Sequence, residues 1–384
     1  MSEFYPTITK PLRGARAFKE ISETASQPQA AILLMLARQL RGDDESLVAR
    51  AKATRSARRV SAASPGSEDF PVPKLKASRR ALGSAEVQRR AKQAFGFSRA
   101  LQGPDLERAY RSSAERLYDT PTVDSAAELM EMCLAHPRAL VRIAAAHAYL
   151  PLTDNPARCI RILVAGVRSV DRLEAELAAT ALARVQPEHP ALRRLSRRGA
   201  RLTRVRRTPQ TLMLVHGTWA SDAEWYKPSG SFHAFIKPQR PDLYSQPDFF
   251  RWTGGYSDAA RNQGATELKQ WVDAHGESGL DLMGHSHGAS VMMKATTFGM
   301  TAGKLILLSC PVHVNKYFPD FTKVTKPVVS VRVKLDLVIL ADFGGQKFRH
   351  PDIKEIVLPI WFDHGATHGA ANWQAHNIAA RIPL

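Results

Sequence analysis

Five residues, Gly284-His285-Ser286-His287-Gly288, constrain this chain more than any other stretch. They follow a short β-rich run at 280–283 and precede helical text that opens at Ala289. A serine placed between a strand and a helix must sit on a sharp turn, and a side chain beside it would strike the strand or the helix; glycine two residues before and two after removes that obstacle. The pattern predicts a hydroxyl pushed out at the carboxyl end of a strand.

The surrounding text fits such a turn. From Thr211 onward, β-rich runs alternate with helical stretches, which predicts strands at 211–215, 248–252, 280–283, 304–309, 328–333 and 356–361 and helices at 264–275, 289–299 and 370–382. Alternation of this kind implies an α/β fold with a parallel sheet. Reactive groups in such sheets lie in loops beyond the carboxyl ends of the strands.

Attack by Ser286 on a carbonyl creates an oxyanion that needs two backbone N–H groups. The His287 amide is one candidate. Leu214-Val215 runs into His216-Gly217-Thr218-Trp219, which makes the Thr218 amide the second. With strand, His-Gly, strand and G-x-S-x-G in order, residues 208–384 resemble an α/β-hydrolase of the serine esterase and lipase kind. The Trp252-Thr253-Gly254-Gly255 segment, Arg261 and the G-H-S-H-G reading resemble a bacterial lipase-like group within it.

That resemblance implies a Ser-acid-His chain order. It puts the acid after the penultimate strand, at Asp336, with Asp342 and Asp320 as alternatives. The base falls in Asp363-His364-Gly365-Ala366-Thr367-His368, with His364 first and His368 as the alternative; His376 is expected on a helix surface. The stretch 220–246 is expected to be the longest irregular insert, with Trp219, Trp225 and Tyr226 lining the substrate site and Phe232 as a further pocket residue, or else with these aromatics forming a covering flap that does not touch substrate. The implied reaction is cleavage of carboxylic esters, lipid or other acyl esters, through an acyl-enzyme without metal or cofactor. The histidines flanking Ser286 are expected to pack rather than to bind metal, since further ligands at suitable spacing are missing. Arg261 is expected to form a structural ion pair. The 27 residues from Ser286 to His313 leave no room for a cap domain.

The first half reads differently. The chain has 384 residues and a net charge of +18, and the excess is concentrated before Thr208, where 37 Lys and Arg face 21 Asp and Glu. Helical spacing at 16–50, interrupted near Gly42-Asp43-Asp44, predicts a helical segment over 1–53; Ser, Pro, Gly and Arg over 54–84 predict a linker. Residues 85–207 are expected to form a basic all-α domain. Ile143-Ala144-Ala145-Ala146 and Leu177-Ala178-Ala179-Thr180 stand 34 residues apart and resemble HEAT-like or other α-solenoid repeats, with an irregular helical bundle as the alternative.

Eight arginines within 193–207 read first as a solvated helix face or linker; the basic helical half as a whole could meet an anionic membrane surface or a protein partner, and nucleic acid ranks lower, because no reading motif accompanies the charge. A helical-repeat interaction protein with a degenerate or regulated hydrolase domain is the rival reading. No apolar run approaches the ~18 residues of a membrane span, and three scattered cysteines suit a reducing compartment, so a cytoplasmic protein, peripheral at a membrane if bound there, is expected. The opening residues lack the pattern of a signal peptide.

Overall fold

The computed structural model describes residues 26–41, 61–63, 104–153, 155–193, 195, 211–276, 279–382 and 384. The chain divides into two compact units, Met1–Ser56 with Pro65–Gln186 and Leu340–Phe343, and Ala57–Ser64 with Pro187–Ile339 and Gly344–Leu384. The expected helix after residue 44, most of the expected linker and most of the arginine run lie outside the described residues.

The first unit is helical: α1 (Ser26–Arg41), α2 (Pro104–Asp119), α3 (Val123–Cys133), α4 (Ala139–Tyr149), α5 (Ala157–Gly166) and α6 (Arg172–Val185). Local chemistry fixes the starts. Thr122 accepts from the Ser125 amide at 3.2 Å while Ser125 Oγ accepts from the Thr122 amide at 3.1 Å, a reciprocal cap on α3. Asp171 accepts from the Glu174 amide at 3.0 Å and opens α6.

The two alanine-rich segments lie on α4 and α6 and are buried. Both press on Gly166 at the end of α5, where an added Cβ would stand 2.7 Å from Ala178 Cβ and 2.8 Å from Ile143 Cδ1. Small side chains there let three helices approach closely. The helix α1 packs mainly on α4 and is buried from Ala30 to Ala37, so its apolar text is a core element.

The second unit contains β1 (Ser61–Ala63), α7 (Pro190–Arg193), β2 (Leu212–Val215), α8 (Ser231–Ile236), α9 (Asp258–His275), β3 (Leu280–His285), α10 (His287–Thr297), β4 (Ala302–Leu308), β5 (Val328–Arg332), the first three residues of α11 (Leu337–Ala341), β6 (Lys347–Arg349), β7 (Ile353–Val357), α12 (Ala370–Ala375) and α13 (Ile378–Arg381). Five strands form a parallel sheet in the order β2-β3-β4-β5-β7, with Val215 opposite Gly284 and His285 opposite Leu308. The unit is therefore an α/β structure.

Both faces of the sheet are covered. Along β4, Leu305 and Leu307 enter a cluster with Leu268, Trp271, Met292 and Met293 of α9 and α10. Ile306 and Leu308 enter the opposite cluster with Trp225, Phe232, Trp373 and Ile378. Burial on both sides explains the uninterrupted apolar text of β3 and β4.

Several expectations need correction. Residues 248–252 form no strand: Phe250 and Trp252 are buried as core side chains, but the chain runs as a loop after Pro247 and pairs with nothing along the sheet. The last strand is Ile353–Val357, earlier than 356–361, and Pro359 follows it. The stretch 220–246 carries the helix Ser231–Ile236 and is not irregular throughout. The terminal helix is two short ones, broken where Asn377 takes a left-handed backbone with φ 46°. Within the expected linker, Ser61–Ala63 pairs antiparallel with Lys347–Arg349. Among the described residues no helix is long and apolar enough to cross a membrane.

Replacing Gly166 by valine should destabilise the helical unit by about 1–3 kcal/mol, because the branched side chain has to displace Ile143 and Ala178. Thermal unfolding followed by far-ultraviolet circular dichroism reads the loss; an unchanged transition would show that this helix packing is looser than described.

Candidate active site

Ser286 stands alone between the end of β3 and the start of α10, with φ 53° and ψ −131°. A non-glycine residue in that region is strained by about 1–3 kcal/mol and persists only where its neighbours over-determine it. They do so here. The Ser286 amide donates to Leu308 O at 2.8 Å, and its carbonyl accepts from the Ala289 amide at 3.0 Å.

The three nearest glycines admit no side chain. A Cβ on Gly284 would lie 2.8 Å from the Ala289 amide nitrogen, and one on Gly288 would lie 2.4 Å from His216 O. A Cβ on Gly217 would come within 2.9 Å of both Ser286 Cβ and His285 O. The loop after β2 is thus pressed against the serine, and every contact responsible involves backbone or a buried side chain. The His287 amide opens α10, where backbone N–H groups lack intrahelical partners and the helix dipole favours negative charge.

Trp252 braces the loop carrying Thr218. Its indole N–H donates to His216 O at 2.8 Å, and its amide donates to His216 Nε2 at 3.3 Å. Because Nε2 accepts, the proton of His216 sits on Nδ1, which donates to Gly217 O at 2.8 Å. Complete burial pushes the His216 pKa down to about 4 and keeps the ring neutral. The Trp219 amide donates to Gly254 O at 2.9 Å, with Trp219 at φ 56° and Gly254 at φ 68°. Thr218, part-exposed between these fixed points, has a buried Oγ1 without a hydrogen-bond partner.

The structure brings Asp336 and His364 together. Asp336 Oδ2 accepts from His364 Nδ1 at 2.7 Å, and the two residues are 1% and 4% exposed, a burial that keeps water from competing for the bond. The other carboxylate oxygen, Oδ1, accepts from the Val338 and Ile339 amides at 3.0 and 3.1 Å at the start of α11. All carboxylate bonds are therefore donated by N–H groups, the arrangement that suits an ionised acid orienting an imidazole. The bond engages Nδ1, so proton transfer by this ring would run through Nε2. The His364 ring lies 4.6 Å, centroid to centroid, from that of His285, the residue before Ser286.

The alternatives are placed elsewhere. Asp320 caps the turn Phe321–Lys323, accepting from Thr322 N at 3.0 Å and Oγ1 at 2.7 Å, and these bonds hold its carboxyl below the usual range. Asp342, in the helical unit, accepts from Arg184 through its carbonyl at 2.6 Å. His368 is stacked on Trp225 at 4.5 Å, with the Trp225 indole also edge-on to His285. His376 follows the end of α12 and is part-exposed.

Tyr226, expected at the substrate, is buried beneath the loop, 4.8 Å from the His216 ring, with its hydroxyl donating to Ser221 O at 2.6 Å. Phe232 is fully buried in the core. Trp219 remains part-exposed, stacked on Tyr256 at 5.7 Å. Arg261 pairs with Asp258 at 3.3 Å and stands over the Tyr256 ring at 4.7 Å, so it supports the aromatic pair from behind.

Two contributors escaped sequence reading. Gln346 pins the backbone of Asp336 from both sides, accepting from its amide at 2.9 Å and donating to its carbonyl at 3.0 Å. Nothing in the sequence marks a glutamine ten residues downstream as a partner. Trp252 was legible as part of a motif, but its hold on His216 needs coordinates.

No family model matches the chain, and no curated protein matches it. Among solved structures, it is similar to a YdeN-like candidate hydrolase from Pectobacterium atrosepticum, at 14% identity with a TM-score of 0.27, over 45% of this chain and 89% of that one.

Acid should destabilise this unit. His216 and His233 both have pKa values lowered to about 4 by burial, against about 6.5 in an unfolded chain. The unfolded state therefore takes up protons first. The stability these histidines supply is whole above pH 6.5 and is lost as pH falls toward 4, at up to about 1.4 kcal/mol per pH unit for His216. Denaturant midpoints should fall between pH 7 and pH 5, and less steeply in H216N; identical slopes for the two proteins would contradict a buried neutral His216.

Proposed function

We propose that residues 208–384 form an α/β-hydrolase domain and that the protein is a serine hydrolase of carboxylic esters. The observation that supports this best is the buried His364–Asp336 pair, set on loops after the last strands of a parallel sheet in which β3 ends in the strained turn at Ser286. Serine hydroxyls are weak nucleophiles at neutral pH, and an imidazole held in one tautomer by a buried carboxylate supplies the base.

In the proposed reaction, Ser286 Oγ attacks the ester carbonyl as its proton passes to His364 Nε2. The Thr218 and His287 amides take the oxyanion. Collapse of the tetrahedral species expels the alcohol with the proton from His364 and leaves an acyl-serine. Water, deprotonated by the same imidazole, releases the acid and restores Ser286. Asp336 keeps the His364 ring oriented and stabilises its imidazolium form. No metal or organic cofactor is called for in these steps.

Trp219 and Tyr256, stacked and part-exposed next to the oxyanion loop, give the substrate a flat apolar wall. An acyl ester, lipid or smaller, is the substrate class we favour. Attraction of the basic first half to anionic lipid accompanies that reading as a proposal.

Turnover of p-nitrophenyl esters of increasing acyl length tests the assignment. The wild-type chain should hydrolyse them, S286A and H364A should lose at least about 10³-fold in kcat, and D336A about 10²–10⁴-fold. H368A should retain most of the activity. Equal activity in wild type and S286A would overturn the proposal, and loss in H368A with retention in H364A would exchange the two histidines. Cosedimentation with anionic vesicles at low salt separates a lipid enzyme from a soluble-ester enzyme.

A further inference from the structure

His285 is a titratable side chain in contact with His364, His368 and Gly217, yet the mechanism above gives it no task. It is the last residue of β3 and 3% exposed. Its Nε2 stands 2.9 Å from the carbonyl oxygen of His364. A carbonyl can only accept, so His285 Nε2 carries the proton and the side chain is fixed as the Nε2–H tautomer. The ring meets His364 at 4.6 Å, His368 edge-on at 4.5 Å and Trp225 at 5.9 Å, and the residue's carbonyl and Nδ1 face Gly217 of the oxyanion loop.

We infer that His285 is a positioning residue: its Nε2–H bond to the His364 main chain fixes the distance between the base and the nucleophile that follows His285 in sequence. The inference rests on the reading of Ser286 and His364 as nucleophile and base, and deepens it. The bond to Asp336 orients the His364 ring about its own side chain, and Thr367 Oγ1 donates to Ser309 Oγ at 3.1 Å, which holds the loop 363–369 to the residue after β4. The His285 bond adds a tie from the same loop to the end of β3. That loop contains only a single short turn, His364–His368, held internally by Asp363 accepting from the Gly365 amide at 2.9 Å.

The His285 bond ties this turn to the residue adjoining Ser286, so any displacement of β3 carries base and nucleophile together. A misplacement of about 1 Å in such a pair costs on the order of 10²-fold in rate. The imidazole is long enough to reach across the elbow and rigid enough to hold the span, and its ring also fills the gap between Trp225 and His364. Serine, threonine and asparagine are too short for that reach.

The test compares H285F, which keeps a packed ring but cannot donate, with H285Q, which restores an N–H at similar reach. Turnover is normalised to the burst titre, so that misfolded protein does not count. H285F should lose about 10–100-fold in kcat with KM within about 2-fold, and H285Q should recover a large part of that loss. Wild-type kcat in H285F, alongside an inactive H364A, overturns this inference alone. Full activity in H364A removes instead the base assignment beneath it. Independently of any variant, ¹⁵N resonances of the wild-type imidazoles report the His285 tautomer: Nε2–H is expected, and Nδ1–H would overturn the inference even if the variants failed to fold.

Discussion

Ser286 holds a backbone conformation that an L-residue rarely adopts, and the rest of the site is arranged around keeping it there. The strain has an evident source. The parallel strand β3 must reverse into α10 without a loop, and only a residue at positive φ makes that junction in one step. Gly284 and Gly288 allow it from below, Gly217 allows the neighbouring loop to come up against it, and the amide bond to Leu308 O ties it to β4. A side chain on any of the three glycines would collide with backbone or with buried atoms that have no room to yield, so their cost is steric before it is catalytic.

From that turn outward, each partner is braced by residues that do no chemistry. Trp252 and the neutral His216 stiffen the loop that presents Thr218, and Gly254 receives Trp219 in an unusual conformation. Gln346 and the first turn of α11 fix Asp336, which in turn orients His364. The result is a set of groups whose positions are settled by packing in the folded chain, which is the condition the proposed reaction would need for electrostatic stabilisation without reorganisation.

How much of this could be read from the sequence depends on the range of the interaction. Local steric rules made the Gly284–Gly288 turn legible, and continuous burial made β3 and β4 legible, because both leave their mark within ten residues. Residues 248–252 read as a strand because Phe249, Phe250 and Trp252 are as apolar as strand residues; Phe250 and Trp252 are buried as plugs against α9 and the His216 loop with Phe249 half-buried beside them, a tertiary fact with no local signature. The choice between His364 and His368 was open for the same reason, since both occupy one turn and only the position of Asp336 separates them. Contacts from Gln346 to Asp336 and from His285 to His364 join residues of ordinary type across the fold, and sequence offers no pattern for them.

The central claim is that the hydroxyl of Ser286 is a nucleophile activated by an imidazole. Incubation of the wild-type chain with a fluorophosphonate, followed by peptide mass spectrometry, measures it directly. A single adduct on the peptide containing Ser286, formed quickly at neutral pH and slowed in H364A, is the result this account requires. A folded chain that forms no adduct, or forms it elsewhere with Ser286 untouched, would contradict it.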